Sequence, residues 1–166
     1  MAPGKRSESK HKTSPQKMPE YQPIPAGLWH MLGAVMLMIP TFSLVVGFLS
    51  GFLEALFEIK AIIYFDVSAL VFFTLTLSIP TMLIVFGYAW GQRFLLAQNL
   101  VLASVLSVAV LYSVVFDTYL KATLWGLGLS CALLARKLYT SEGFANYRDY
   151  AKAAWSAHRA RRANRK

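Results

Sequence analysis

From Leu28 to Gly51 the chain carries no Lys, Arg, Asp or Glu, and from Val67 to Trp90 it again carries none. From Phe94 to Phe116 its strongly polar members are Gln98 and Asn99. A helix that crosses a membrane needs about 20 mostly apolar residues, because the hydrocarbon core is about 30 Å thick and each residue rises about 1.5 Å. Three such runs in 166 residues, with 56% hydrophobic and 15% charged residues, nearly exclude a water-soluble domain. A fourth, shorter segment runs from about Tyr119 to Ala135 and contains Lys121, whose ammonium can snorkel to the interface along its own stem.

The connections agree with four spans, placed at about 28–51, 67–90, 94–116 and 119–135. Gly91-Gln92-Arg93 and Phe116-Asp117-Thr118 read as tight turns, which force antiparallel neighbours. The longer stretch from Phe52 to Phe65 sets Glu54 and Glu58 on one helical face among apolar residues, the pattern of an outer interfacial segment. The expected organisation is all-α: a basic, disordered arm (1–26), a four-helix transmembrane domain (27–138) and a basic amphipathic tail (139–166).

Charge placement orients these spans. The first 26 residues hold five basic side chains and the last 31 hold nine, whereas the middle holds Lys60, Arg93 and Lys121. Four spans put both tails and Arg93 on one face, fifteen basic residues against two, and the positive-inside rule makes that face cytoplasmic. The first residues show charge, Pro and Ser before any apolar run, so no cleaved signal peptide is expected. Cys131 is the single cysteine, so neither an intramolecular disulfide nor a multi-cysteine metal site can form.

The first two spans echo each other at an offset of 40 residues. Leu37 to Gly51 and Leu77 to Gly91 share Leu, Ile, Pro, Thr, Val and both Gly. At about 100° per residue, Pro40, Gly47 and Gly51 form one stripe, and Pro80, Gly87 and Gly91 another. Small-residue stripes let helix backbones approach closely in lipid, so all six are candidate helix-packing positions. Chance matching of apolar sequence, helix capping at Gly91 and an inverted transport repeat are the competing readings.

No catalytic constellation is present: the sequence lacks H-E-x-x-H, a P-loop and G-x-S-x-G, and His11, His30 and His158 lie in three regions. Nothing implies a cofactor, a metal or an enzyme. Glu54, Glu58, Asp66 and Asp117 map to the outer face as an acidic cluster, with Asp66 and Asp117 expected at helix N-caps. His30 is expected at the interface, and Gln98 and Asn99 are expected to hydrogen-bond to neighbouring helices.

In the tail, Tyr147, Ala151, Ala154, Trp155 and His158 share a helical face, with Arg148, Lys152, Arg159 and Arg162 mostly away from it. Tyr147, Arg148, Lys152, Trp155, Arg159, Arg161 and Arg162 are therefore candidate contacts to anionic lipid headgroups or an acidic partner. RNA-binding signatures are missing, so no nucleic acid is expected. The leading expectation is a non-enzymatic accessory or scaffolding subunit that contacts other membrane proteins. A binder that blocks another membrane protein, as an immunity protein blocks a pore-forming toxin, comes second. A small transporter or channel, built as a homo-oligomer, comes third.

Overall fold

A computed structural model describes residues 24–54, 56–116 and 119–163. The fold is all-helical, with α1 (Leu28–Leu53), α2 (Ile59–Val85), α3 (Ala89–Phe116), α4 (Tyr119–Tyr139) and α5 (Glu142–Ala163). Among the described residues, α1, α2 and α3 are each long and apolar enough to cross a membrane. Their surfaces match that reading. Large apolar side chains point outward along α1, α2, α3 and α4, among them Phe72 at 66% exposure and Leu127 at 62%. A soluble monomer rarely shows contiguous apolar surface beyond a few hundred Å². Beyond Leu134 no large apolar side chain is exposed among the described residues, so α5 stands outside this belt.

Packing pairs give the directions of the helices. Gly33 meets Leu138, Leu44 meets Gly128 and Phe48 meets Trp125, so partner numbers fall as residue numbers rise and α1 runs antiparallel to α4. Phe42 stacks on Phe73 and Ser50 hydrogen-bonds Asp66, which makes α1 antiparallel to α2. The most extensive packing joins α4 to α3 and α1, and α2 to α3. The shared core includes Met38, Ile84, Leu95, Leu106 and Tyr139.

Several expected boundaries are corrected. Helix α1 runs to Leu53 and α2 begins at Ile59, so the connection expected over Phe52–Phe65, with its interfacial segment at Phe52–Glu58, is shorter than expected. Residues 59 to 65 are apolar apart from Lys60 and extend α2 by nearly two turns. Asp66 is consequently not an N-cap. Glu58 holds that position, with no side-chain capping bond. The turn expected at Gly91-Gln92-Arg93 lies instead at Phe86-Gly87-Tyr88. Gly87 adopts φ +82, Tyr88 N–H donates to Leu83 O at 2.8 Å, and Gly87 N–H donates to Ile84 O at 2.9 Å. This is a Schellman ending, which a glycine at φ > 0 permits. Helix α4 continues four residues past Ala135, and α5 follows after Thr140-Ser141. Ser141 caps α5 by accepting from Phe144 N–H at 3.2 Å.

Candidate functional site

The two ends of the helix cluster differ. At one end α5 folds back across the others. Its Phe144, Tyr147 and Ala151 are buried, and Phe144 sets its ring edge-on to Tyr139 with centroids 5.4 Å apart. Trp155 does the same to Phe86 at 5.0 Å. Polar groups complete the seal. Arg148 Nη1 donates to Gln92 Oε1 at 2.8 Å, Gln92 Nε2 donates to Tyr139 O at 2.8 Å, and Arg148 pairs with Asp149 at 3.1 Å. Arg159 lies over the Tyr88 ring, 5.7 Å from its centroid, and donates to its hydroxyl at 3.3 Å. Burial raises the Tyr147 phenol above its ordinary pKa.

Backbone contacts at this end leave no space for side chains. Gly27, at φ +88, faces the Gly143 carbonyl so closely that a Cβ would overlap it, and a Cβ on Gly143 would lie 2.6 Å from the His30 ring. A Cβ on Gly87 would lie 2.6 Å from Lys152 Cα, and one on Gly91 would run into the Pro80 carbonyl oxygen. Within the chain, Pro80, Gly87 and Gly91 are thus held against neighbouring helices. The α1 members of the echo differ: Pro40, Gly47 and Gly51 are exposed, and a Cβ at either glycine would meet nothing within 4 Å. Gly47 is helical and Gly87 ends a helix, so the aligned positions do different work. The echo does survive at Thr41 and Thr81, whose hydroxyls donate to Leu37 O at 2.8 Å and Leu77 O at 2.6 Å.

Midway along α3, Asn99 is 1% exposed and joins three helices. Its Nδ2 donates to Ala132 O on α4 at 3.0 Å and to Met38 Sδ on α1 at 3.2 Å. Gln98 turns to the other side and donates to Thr76 Oγ1 on α2 at 3.1 Å. Asn99 Oδ1 and Gln98 Oε1 are buried without a protein partner.

The end away from α5 is open. One cavity of about 340 Å³ lies between α1 and α2, lined in part by Ser43, Gly47, Ser50 and Asp66. Here Ser50 Oγ donates a short hydrogen bond to Asp66 Oδ1. A second cavity of about 320 Å³ lies on the other side of α1, against α3 and α4. Gly47 forms the ridge between them. Glu54 and Glu58 bracket the link between α1 and α2 and are exposed, so with Asp66 they share this end without converging on one point. Asp117, the arm 1–23, Arg165 and Lys166 lie outside the described residues.

Of the proposed tail contacts, Tyr147, Arg148, Trp155 and Arg159 engage the chain itself, and Lys152 gives its backbone to Gly87. Arg161 and Arg162 are exposed. The sequence reading missed Gly27, Ser50, Gln92 and Gly143, because each acts through a partner distant in the chain. Among the described residues no group of three His, Cys, Asp or Glu could hold a metal ion. The chain matches no family description, no curated protein and no solved structure.

Proposed function

We propose that this protein is a non-enzymatic accessory or scaffolding subunit of a larger membrane assembly. In this reading it crosses the membrane four times with both termini in the cytoplasm, and α5 caps the cytoplasmic end. The observation that carries the reading is the outward face of α1. Pro40, Ser43 and Gly47 form an exposed small-residue ridge beside an open groove lined by Ser50 and Asp66, whereas Pro80, Gly87 and Gly91 are closed within the chain. Where apolar burial gains little, such a ridge is a site for close backbone approach by another helix. The groove beside it supplies a polar contact in Asp66, a carboxylate two turns into an apolar helix. Exposed Leu120, Leu124 and Leu127 support α4 as a fourth span, with Lys121 at its interface.

The test is co-purification from native membranes after Gly47→Leu. A Leu side chain meets open space inside the chain, so the monomer should fold, while a partner seated on the ridge should be lost. Retained partner at full stoichiometry would sink the proposal. The immunity-type binder shares this geometry and differs only in what the partner proves to be.

A further inference from the structure

The contacts of α5 fix its direction. Gly143, in its first turn, packs on Gly27 and His30 at the start of α1. Phe144 meets Tyr139 at the end of α4, and Arg148 meets Gln92 in the first turn of α3. Lys152, Trp155 and Arg159 then meet Gly87, Phe86 and Tyr88 at the turn between α2 and α3. All these partners sit at one end of antiparallel helices. Helix α5 therefore runs transverse to them over about 24 Å, parallel to the surface of a membrane that α1, α2 and α3 cross. Its far end is unsupported. From Phe144 to Ala157 buried and half-buried residues recur along the helix, whereas every residue from His158 to Ala163 is exposed. An unbroken exposed run means that these last turns project past the bundle. They leave it at the α2–α3 turn, where Met82, Tyr88 and Trp90 are exposed.

The projecting end carries Arg159, Arg161 and Arg162, and the sequence contains no Asp or Glu after Asp149. Asp149 itself pairs with Arg148, and among the described residues neither Arg161 nor Arg162 has an acidic partner. The apolar residues Phe144, Tyr147 and Ala151 are taken up by the chain's own helices, so α5 has no apolar face left to insert into lipid. What it offers is guanidinium groups, held at the level where spans leave the hydrocarbon and pointing beyond the protein's edge. Guanidinium matches phosphate in geometry and charge, and anionic headgroups fill that layer. We propose that the projecting end of α5 binds the headgroups of anionic phospholipids, with Arg161 and Arg162 pairing with their phosphates. This goes beyond the accessory-subunit reading and holds whether or not a protein partner exists.

The test is hydrogen exchange of the purified full chain in nanodiscs of phosphatidylcholine alone or of phosphatidylcholine with phosphatidylglycerol. Amides over 158–163 should exchange about 25-fold more slowly in the anionic bilayer, about fivefold for each of Arg161 and Arg162. Exchange over 142–157 should be the same in both. Joint Arg161→Gln and Arg162→Gln should return 158–163 to the phosphatidylcholine rate, whereas Arg161→Lys with Arg162→Lys should keep most of the slowing. Both side chains are exposed, so these variants leave the docked part of α5 intact. Equal exchange in the two bilayers would overturn the proposal and leave the arginines a role in orienting the chain during insertion. Slowing that survives the paired Gln replacements would overturn it as well. Protection of 158–163 in native membranes but not in the anionic nanodiscs would do the same, and would assign the arginines to a protein partner.

Discussion

Gly91 leaves no room for a Cβ beneath the carbonyl oxygen of Pro80. This contact sets how closely α3 approaches α2, and the obstructing atom is backbone, which cannot rotate away. Gly91→Ala should therefore destabilise the protein by about 1–3 kcal/mol, the usual cost of overpacking. Gly51→Ala, open on its outer side, should stay within about 0.5 kcal/mol of wild type. Thermal unfolding in one detergent compares them, and equal effects would mean that α2 and α3 do not pack as described. Gly87→Leu would disturb both the φ +82 ending and the Lys152 contact, so it reports on folding rather than on assembly.

Docking of α5 rests on its aromatic residues more than on its charges. Phe144→Ala should cost about 3–5 kcal/mol of that docking, as for other large-to-small core changes. Arg148→Ala, which removes a half-exposed group from Gln92, should cost about 1 kcal/mol. Hydrogen exchange over 142–163 reads both, and α5 protection unchanged by Phe144→Ala would refute the docking. Burial raises the Tyr147 phenol in the folded state, so the folded chain keeps this proton longer than the unfolded one. Stability should then be unaffected below the unfolded value near 10 and fall as pH rises past it.

Asn99 couples α1, α3 and α4 through one amide. Asn99→Ala should cost about 0.6–1.7 kcal/mol, from the average to the maximum found for hydrogen bonds between membrane helices. Asn99→Asp should be far worse at neutral pH, because it places a carboxylate in a site with 1% exposure. Melting temperatures in detergent would show the order, and an Asp variant as stable as Ala would contradict burial of this side chain.

Much of the helical plan was legible because charge-free runs longer than 20 residues have few other fates. The ends were less so. Gly91 has the look of a stop at a tight turn, yet the chain turns four residues earlier at Gly87, and Gly91 lies inside α3 against the Pro80 carbonyl, a contact between helices that no local pattern encodes. The apolar side of α5 was visible in Tyr147, Ala151 and Trp155, but not what covers it. Tyr139 and Gln92 come from other helices and Phe86 from the turn between α2 and α3, and those pairings exist only once the chain has folded. Ser50 with Asp66 is the same case, a polar pair 16 residues apart across a reversal of the chain.

The orientation is open to direct labelling. In a Cys131→Ser background, single cysteines at positions 5 and 160 should resist a membrane-impermeant maleimide in intact cells and react after permeabilisation. Labelling of either position from outside would overturn the arrangement with both termini cytoplasmic, and with it the outer assignment of Glu54, Glu58 and Asp66.

The most direct measurement is purification of the tagged chain from its native membranes in mild detergent, with the mass of the complex determined and its components identified. The expected result is a larger membrane protein in fixed stoichiometry that is lost with Gly47→Leu. Recovery of this chain alone, as a defined homo-oligomer, would contradict the accessory-subunit reading and favour a small transporter or channel.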